Sequence, residues 1–239
     1  MGAYFLEGLT VWRNPFKGFS KKDWLVLILS LIVVTACNLV TPAVTWSTAA
    51  GVTVGAFALV LMARGDVWGQ VLTAVFSVLY GITSWQFRYY GEVITYGFMT
   101  LPMAIMAVIS WWRHPYRGNR AEVEIQRLSR GQKRNMILGS VLVTAVFGAV
   151  LWWLDTPHLF FSILSITTSF LAAFLTYYRS AWYAIAFAAN DVILVILWVL
   201  ASVKDISFTP MIGCFLVFLM NDVYAFVHWR RRALRQTAK

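Results

Sequence analysis

Apolar residues in this chain come in long runs rather than in alternation. Eight runs are long enough to cross a bilayer, at about 24–41, 44–63, 67–86, 93–112, 136–154, 158–178, 181–203 and 206–229. A helix needs about 20 apolar residues to span the hydrocarbon core. In lipid every backbone N–H and C=O must be satisfied within its own segment, so these runs predict helices. The expected fold class is an all-α integral membrane bundle of eight transmembrane helices. The first run continues to about Thr41, longer than the roughly 7–15-residue apolar core of a signal peptide, and is expected to stay as a span.

The polar positions between the runs carry the orientation. Arg13, Lys17, Lys21 and Lys22 precede the first run, and Arg64 and Arg179 sit in two short turns. A long connection holds Arg113, Arg117, Arg120, Arg127, Arg130, Lys133 and Arg134, and the tail holds Arg230, Arg231, Arg232, Arg235 and Lys239. With both termini in the cytoplasm all 18 of these face inward, and only Arg88 and Lys204 are left outside. The positive-inside rule therefore selects that topology. Segment 1–23 is expected to be cytoplasmic or interfacial. Within it Phe5, Leu9, Trp12, Phe16 and Phe19 recur at helical spacing, which fits either an interfacial amphipathic helix or an unstructured leader.

Spacing reveals a repeat. The turn Arg64-Gly65-Asp66-Val67 leads into Trp68, and the turn Arg179-Ser180-Ala181 leads into Trp182. From each Arg the chain makes two spans and closes on an aromatic-basic cluster, Trp111-Trp112-Arg113 or His228-Trp229-Arg230, after 49 and 51 residues. The layout predicts two parallel three-helix repeats, 44–112 and 158–229. One linking helix at 136–154 joins them, an extra helix at 24–41 stands in front, a basic cytoplasmic loop fills 113–135, and a basic tail fills 230–239. Parallel repeats about an axis normal to the membrane are the arrangement of SWEET-type transporters.

Composition agrees with the membrane class. The chain is 60% hydrophobic with a mean hydropathy of +0.69, and 13% charged against about a quarter in soluble domains. The net charge of +10 is explained by the inward-facing connections and implies no nucleic-acid partner. Cys37 and Cys214 lie inside apolar runs and read as small buried hydrophobes. His114, His158 and His228 lie near span ends without paired mid-helix spacing, so no metal or cofactor is expected. No nucleophile-base motif, P-loop or glycine fingerprint is present, so no catalytic residue is expected and an enzyme is disfavoured.

Polar residues inside the spans are the candidates for function. Span 7 contains Asn190-Asp191 and span 8 contains Asn221-Asp222. At about 1.5 Å per residue Asn190 lies roughly 16 Å from Arg179 and Asn221 roughly 13 Å from Arg230, near the middle of a core about 30 Å thick. Span 6 adds Ser165, Thr167, Thr168 and Ser169 at similar depth. Substrates of repeat transporters bind near the midplane. Asparagine offers donors and an acceptor to hydroxyls and carboxamides, and a nearby indole offers a flat face to a ring. Tyr183 shares a helix face with Asn190, and Trp182 is on the neighbouring face. Gln86 closes span 3 beside Trp85, with Tyr80 and Ser84 on the same helix. The same polar groups also serve as inter-helix hydrogen bonds in many membrane proteins. Asp191 and Asp222 fit a proton relay, pairing with a buried donor, or a neutral form. Trp68, Trp111, Trp112 and Trp229 sit at span ends and are expected in aromatic belts. Pro102 and Pro210 are expected to kink their helices.

Over about residues 45–230 the chain resembles the PnuC family of nicotinamide riboside transporters. The likeness rests on the layout, on Trp182-Tyr183 followed by a midplane Asn190 at the opening of span 7, and on the pattern from Asn221 through Trp229. Two positions depart from the family: a second Trp one turn into span 7 is replaced by Ala186 or a neighbour, and a Gly near the end of span 8 by Asp222. The resemblance implies import of nicotinamide riboside by facilitated diffusion, drawn inward by cytoplasmic phosphorylation. It also implies a homotrimer in a bacterial inner membrane, with lipid as its other partner. The expected site is Trp182 stacking on the pyridine ring, with Gln86, Tyr183, Asn190 and Asn221 around the ribose and carboxamide. Tyr80, Ser84, Trp85, Ser165, Thr168, Asp191 and Asp222 stand behind them. Relatives associated with thiamine and riboflavin keep the vitamin open. The alternatives are a sugar transporter on the same fold, a proton-coupled carrier, and a non-transport membrane anchor or assembly subunit.

Overall fold

The structure is a computed structural model and describes residues 14–39, 46–86, 90–204 and 209–238. Arg88 and residues 3–13 of the candidate interfacial helix, with Phe5, Leu9 and Trp12, lie outside that range. Its described part, 14–19, is a turn rather than a helix, and Phe16 and Phe19 pack on Trp24 with ring centroids 6.2 and 5.1 Å away.

The helices are α1 (Lys21–Leu39), α2 (Trp46–Ala63), α3 (Val67–Gln86), α4 (Tyr90–Ile94), α5 (Leu101–Arg113), α6 (Arg130–Trp153), α7 (Leu159–Tyr177), α8 (Tyr183–Lys204) and α9 (Thr209–Thr237). A π-helical turn, Thr95–Thr100, joins α4 to α5 into one span, so eight helical segments are long and apolar enough to cross a membrane. Pro102 accounts for that turn, because it has no N–H to donate and its ring crowds the preceding carbonyls. Pro210 instead sits in the first turn of α9, where a missing N–H costs nothing, so it opens the helix rather than kinking it.

Two helices outrun their apolar stretches. α6 begins at Arg130, six residues before the apolar run, because Ser129 and Gln132 form a reciprocal capping box. α9 continues to Thr237, so the expected tail is helical. Hydropathy marks the part of a helix that lies in lipid, whereas capping marks where the helix itself starts.

The two three-helix repeats pack along two related seams. α9 lies on α2, and α5 lies on α7, so the last span of each repeat covers the first span of the other. α1 packs on α2 and α9, and α6 packs on α7. At the basic end of the bundle the seams are closed by a matched pair of indoles. Trp111 Nε1 donates to Thr176 O at 2.8 Å, and Trp229 Nε1 donates to Met62 O at 2.9 Å. Each indole is a second donor to a carbonyl that also accepts from the following turn, Thr176 O from Arg179 N at 2.9 Å and Met62 O from Gly65 N at 2.8 Å. Neighbouring side chains extend the closure: Ser110 Oγ donates to Tyr177 O at 2.7 Å and Arg232 donates to Ala63 O at 3.0 Å. The indoles themselves meet with centroids 5.3 Å apart, and both are fully buried. The belt expectation for Trp111 and Trp229 is therefore corrected: they are the packed junction of the repeats.

The connection 113–135 is ordered. It forms a short hairpin, β1 (Pro115–Tyr116) and β2 (Asn119–Val123), where only helices and a solvated loop were expected. After the hairpin it docks on the turns of both repeats. Val123 N donates to Gly65 O at 3.0 Å, and Gln126 N donates to Arg179 O at 3.2 Å. Gly65 holds a φ of +70°, and Arg179 holds one of +54°, a conformation that non-glycine residues seldom adopt. Arg179 is kept there by its guanidinium, which donates to Glu124 O, Ser110 Oγ and Gln126 Oε1 at 3.1, 2.6 and 2.8 Å. Glu122 ties the hairpin to the end of α9 through Arg235 and Gln236.

Trp229→Phe and Trp111→Phe each remove the cross-seam donor from a carbonyl that keeps its turn N–H, and each is expected to cost about 0.5–1.5 kcal/mol. Because the rings touch, the double variant should cost less than the sum. Thermal unfolding in detergent measures both effects, and an undiminished melting temperature in either single variant would refute the junction. Burial works against ionisation of Glu122, but the hydrogen bonds from Arg235 and Gln236 and the field of Arg232 hold its pKa below the usual carboxylate range. Its contribution is complete above the ordinary carboxylate pKa and lost as pH falls through the lowered value. Glu122→Gln is expected to lower the melting temperature at pH 7, with the deficit shrinking as the pH drops below the carboxylate range.

Candidate functional site

A small, partly enclosed cavity of about 100 Å³ lies between the two repeats. Its walls come from six of the eight spans. α2 supplies Gly55, Ala58 and Met62, and the π-helical turn supplies Tyr96 and Thr100. The second repeat supplies Ser169, Phe187, Asn190, Asp191 and Asp222. Aromatic rings form one wall: Phe76 lies 5.9 Å from Tyr96 and 6.2 Å from Phe218, and Phe218 lies 5.6 Å from Phe215. A hollow of 320 Å³ at the basic end, beside Arg113, His114 and Arg179, is a surface feature, and the three hydrogen bonds of the Arg179 guanidinium are internal.

Asn190 is the most heavily bonded polar group of the cavity. Its Oδ1 accepts from Ser165 Oγ, Thr168 Oγ1 and Ser169 Oγ at 3.2, 2.9 and 3.0 Å. α7 thus presents three hydroxyls, at positions spaced along one face, to a single side chain of α8. All three bonds engage the oxygen, and none of them uses the amide NH2. The adjoining Asp191 and Asp222 are 4% and 3% exposed, and they reach the same cavity from α8 and α9.

The other residues expected at the site are placed elsewhere. Trp182 is 54% exposed at the basic end, under the guanidinium of Arg230 at 5.4 Å, and does not line the cavity. Tyr183 is fully buried in the junction, 4.7 Å from Trp229, because the turn at Arg179 delivers it beneath the indole pair. Asn221 faces α1 and donates to Ser30 Oγ at 2.9 Å and to Val217 O at 2.8 Å. Gln86 is exposed at the opposite end of α3, where its Oε1 accepts from Ser47 Oγ at 3.2 Å. Ser84 is buried and Trp85 exposed on the same helix, and neither lines the cavity. Tyr80 stands behind the aromatic wall, 4.3 Å from Tyr96 and 5.5 Å from Phe76. So of the expected binding residues only Asn190 lines the cavity, joined by Asp191 and Asp222 from the outer set and backed by Ser165 and Thr168.

The first repeat's share, Thr73, Phe76 and Tyr96, was missed, as were Phe187, Phe215 and Phe218. The available signal was aromatic residues in the middle of spans rather than at their ends, with the strained turn before Pro102 pointing to Tyr96.

A protein-family model described as "Nicotinamide mononucleotide transporter" matches residues 45–231. The chain belongs to this family. The matched range covers both repeats and the linking helix, and so every wall of the cavity. Among individual relatives, the nicotinamide riboside transporter PnuC of Neisseria mucosa is 23% identical over 240 residues, covering 95% of this chain and 88% of the relative. A solved structure described as the crystal structure of the vitamin B3 transporter PnuC matches with a TM-score of 0.79 over 98% of each chain, at 20% identity. That likeness carries the fold: eight spans in the 3+1+3 arrangement with one leading helix.

Proposed function

We propose that this chain imports nicotinamide riboside across a bacterial inner membrane by facilitated diffusion, with both termini cytoplasmic and cytoplasmic phosphorylation trapping the solute. The observation that carries this reading is the partly enclosed cavity between the repeats, walled by aromatic rings and furnished with the Asn190 amide and the Asp191–Asp222 pair. Rings suit a flat pyridine, and an amide donor suits a carboxamide or ribose oxygen. Family membership and the name of the Neisseria mucosa relative support the substrate.

The cavity volume of about 100 Å³ falls below the roughly 300 Å³ at which ligand clefts begin. The described state is thus an occluded one, and entry of a nucleoside requires the repeats to part. The two seams, α2 with α9 and α5 with α7, are where that motion would occur, and rocking of repeats about a fixed midplane site is the usual form of alternating access. Assembly as a homotrimer belongs to the same proposal, supported by the family resemblance and by the apolar face of α6, where Ile137, Leu138, Val141 and Leu142 are exposed. An anchor or assembly subunit would have no use for a polar central cavity. A proton-coupled carrier has the carboxyl pair in its favour and requires uptake that follows an imposed pH gradient.

Calorimetry of the purified protein with nicotinamide riboside, and with thiamine, riboflavin and glucose as controls, tests the substrate. Asn190→Leu is expected to weaken riboside binding by at least about a hundredfold, the scale of a lost buried donor in a desolvated site. The fold should survive, because Thr168 also bonds Leu164 O and Ser165 O at 3.0 Å, and helix hydroxyls fall back on such carbonyls. Trp182→Ala is expected to leave affinity within about threefold, since ring stacking there is with Phe226 and Arg230. Unchanged binding in Asn190→Leu, or lost binding in Trp182→Ala, would overturn this placement of the site.

A further inference from the structure

We propose that Asp191 and Asp222, together with the aromatic wall facing them, form a subsite for the positively charged ring of an aromatic cation, so that fixed ring charge, and not ring shape alone, selects the solute. This deepens the transport reading and rests on it: the pyridinium ring of nicotinamide riboside carries such a charge.

Four observations carry the inference. First, the two carboxyls come from different helices, α8 and α9, and meet in the cavity wall. Two neighbouring carboxyls resist ionising together, so such a pair offers a single negative charge to a ligand. Second, Asp191 is 96% buried, being 4% exposed, and its Oδ2 has no hydrogen-bond partner although it lines the cavity. A buried carboxylate oxygen without a donor costs heavily unless something charged or polar meets it. Third, among the described residues lining the cavity there is no Lys, Arg or His, so the protein provides no counter-charge there. Aspartates elsewhere in the chain are treated otherwise: Asp23 accepts from Arg64 at 2.9 Å, from Ser20 and from Tyr224. Fourth, the lining includes five rings, Phe76, Tyr96, Phe187, Phe215 and Phe218, and the face of such a ring attracts a cation through its quadrupole.

An aromatic cation satisfies every one of these features at once. Its charge meets the carboxyl pair, its face meets the rings, and it brings the counter-charge the protein omits. A small hydrated cation would leave the aromatic wall unused, and a neutral ring would leave the charge unmet. A solute bearing a phosphate is disfavoured, because its negative charge would be brought into a cavity whose only ionisable groups are two carboxyls and a tyrosine.

The test compares two solutes of nearly the same size. Nicotinamide riboside has a charged ring, and its 1,4-dihydro form has an uncharged one. Calorimetry on the full-length protein is expected to show the charged form bound at least about tenfold more tightly, the scale of a desolvated cation–π contact with a carboxylate. Asp191→Asn should remove that preference, weakening the cation by about tenfold or more while the dihydro form changes by less than about threefold. Asp222→Asn serves as the second variant should Asp191→Asn fail to give a monodisperse, cooperatively melting protein, and the wild-type ratio stands as a measurement independent of both. A ratio near one in the wild type, or a ratio that survives in both variants, overturns the subsite. Failure of the transport reading looks different: neither form of the riboside binds, yet thiamine or 1-methylnicotinamide binds with the same dependence on Asp191, in which case the subsite stands and the substrate changes. Binding of no aromatic cation overturns both.

Discussion

The bundle depends on how the carbonyls at the ends of α2 and α7 are bonded across the seams. A carbonyl oxygen can accept twice, and the last carbonyls of a helix have capacity to spare: Met62 O and Thr176 O each take one N–H from the following turn and have room for a second donor. Here the donors come from across the seams. Trp229 and Arg232 of α9 reach Met62 and Ala63, and Trp111 and Ser110 of α5 reach Thr176 and Tyr177. Because the arrangement is repeated, the two indoles converge on each other at the centre of the basic end. In lipid the hydrophobic effect does little to hold one helix against another, so such bonds and close packing must do it. The indoles therefore set the relation of the repeats, and with it the dimensions of the cavity between them.

Fixing the repeats at one end leaves the rest of each seam free to differ. The junction collects large buried rings, whereas toward the middle of the spans small residues such as Gly55 and Ala58 line open space. The hairpin reinforces the closed end by bonding to the turns of both repeats, Gly65 O and Arg179 O. The basic end is thus the more tightly joined part of the bundle, and the cavity lies beyond it. The left-handed backbone at Arg179 belongs to this joined end, since three hydrogen bonds from its guanidinium offset the cost of that conformation.

The fold was legible in the sequence because bilayer thickness imposes a length on each apolar run, and every span lies where a run lies. The repeat was legible in the Arg-to-Arg spacing, and the same two aromatic-basic clusters that marked it proved to be its structural junction. Their burial was not legible. A Trp at a span end looks alike whether it faces lipid headgroups or a neighbouring helix, and only the partner's carbonyl distinguishes the two. The site was legible where a polar residue had no other way to be satisfied, as with Asn190 among the hydroxyls of α7. Asn221, at the same depth and of the same type, points to Ser30 instead. The face that each helix turns toward the cavity separates the two outcomes, and that rotation is set by tertiary packing that a single sequence does not display. The aromatic wall was hidden for a simpler reason: Phe76, Phe215 and Phe218 are as apolar as the leucines around them and stand out only once a cavity faces them.

The two carboxyls raise the question of why a membrane protein tolerates them at all. An isolated carboxylate in a medium of low dielectric is penalised by several kcal/mol at least, even after relaxation. Asp23 escapes that penalty at the edge of the bundle through Arg64, Ser20 and Tyr224. Asp191 and Asp222 have no Lys, Arg or His beside them among the described residues that line the cavity, and Asp191 Oδ2 is buried without a hydrogen-bond partner. Replacing them with a hydrogen-bonded amide, or with leucine, would stabilise the empty bundle. Their presence therefore makes sense in terms of an occupied state, in which a solute supplies what the empty cavity lacks. A residue that is unfavourable without ligand and favourable with it contributes to selectivity twice, by rewarding the right charge and by leaving the wrong one unsatisfied.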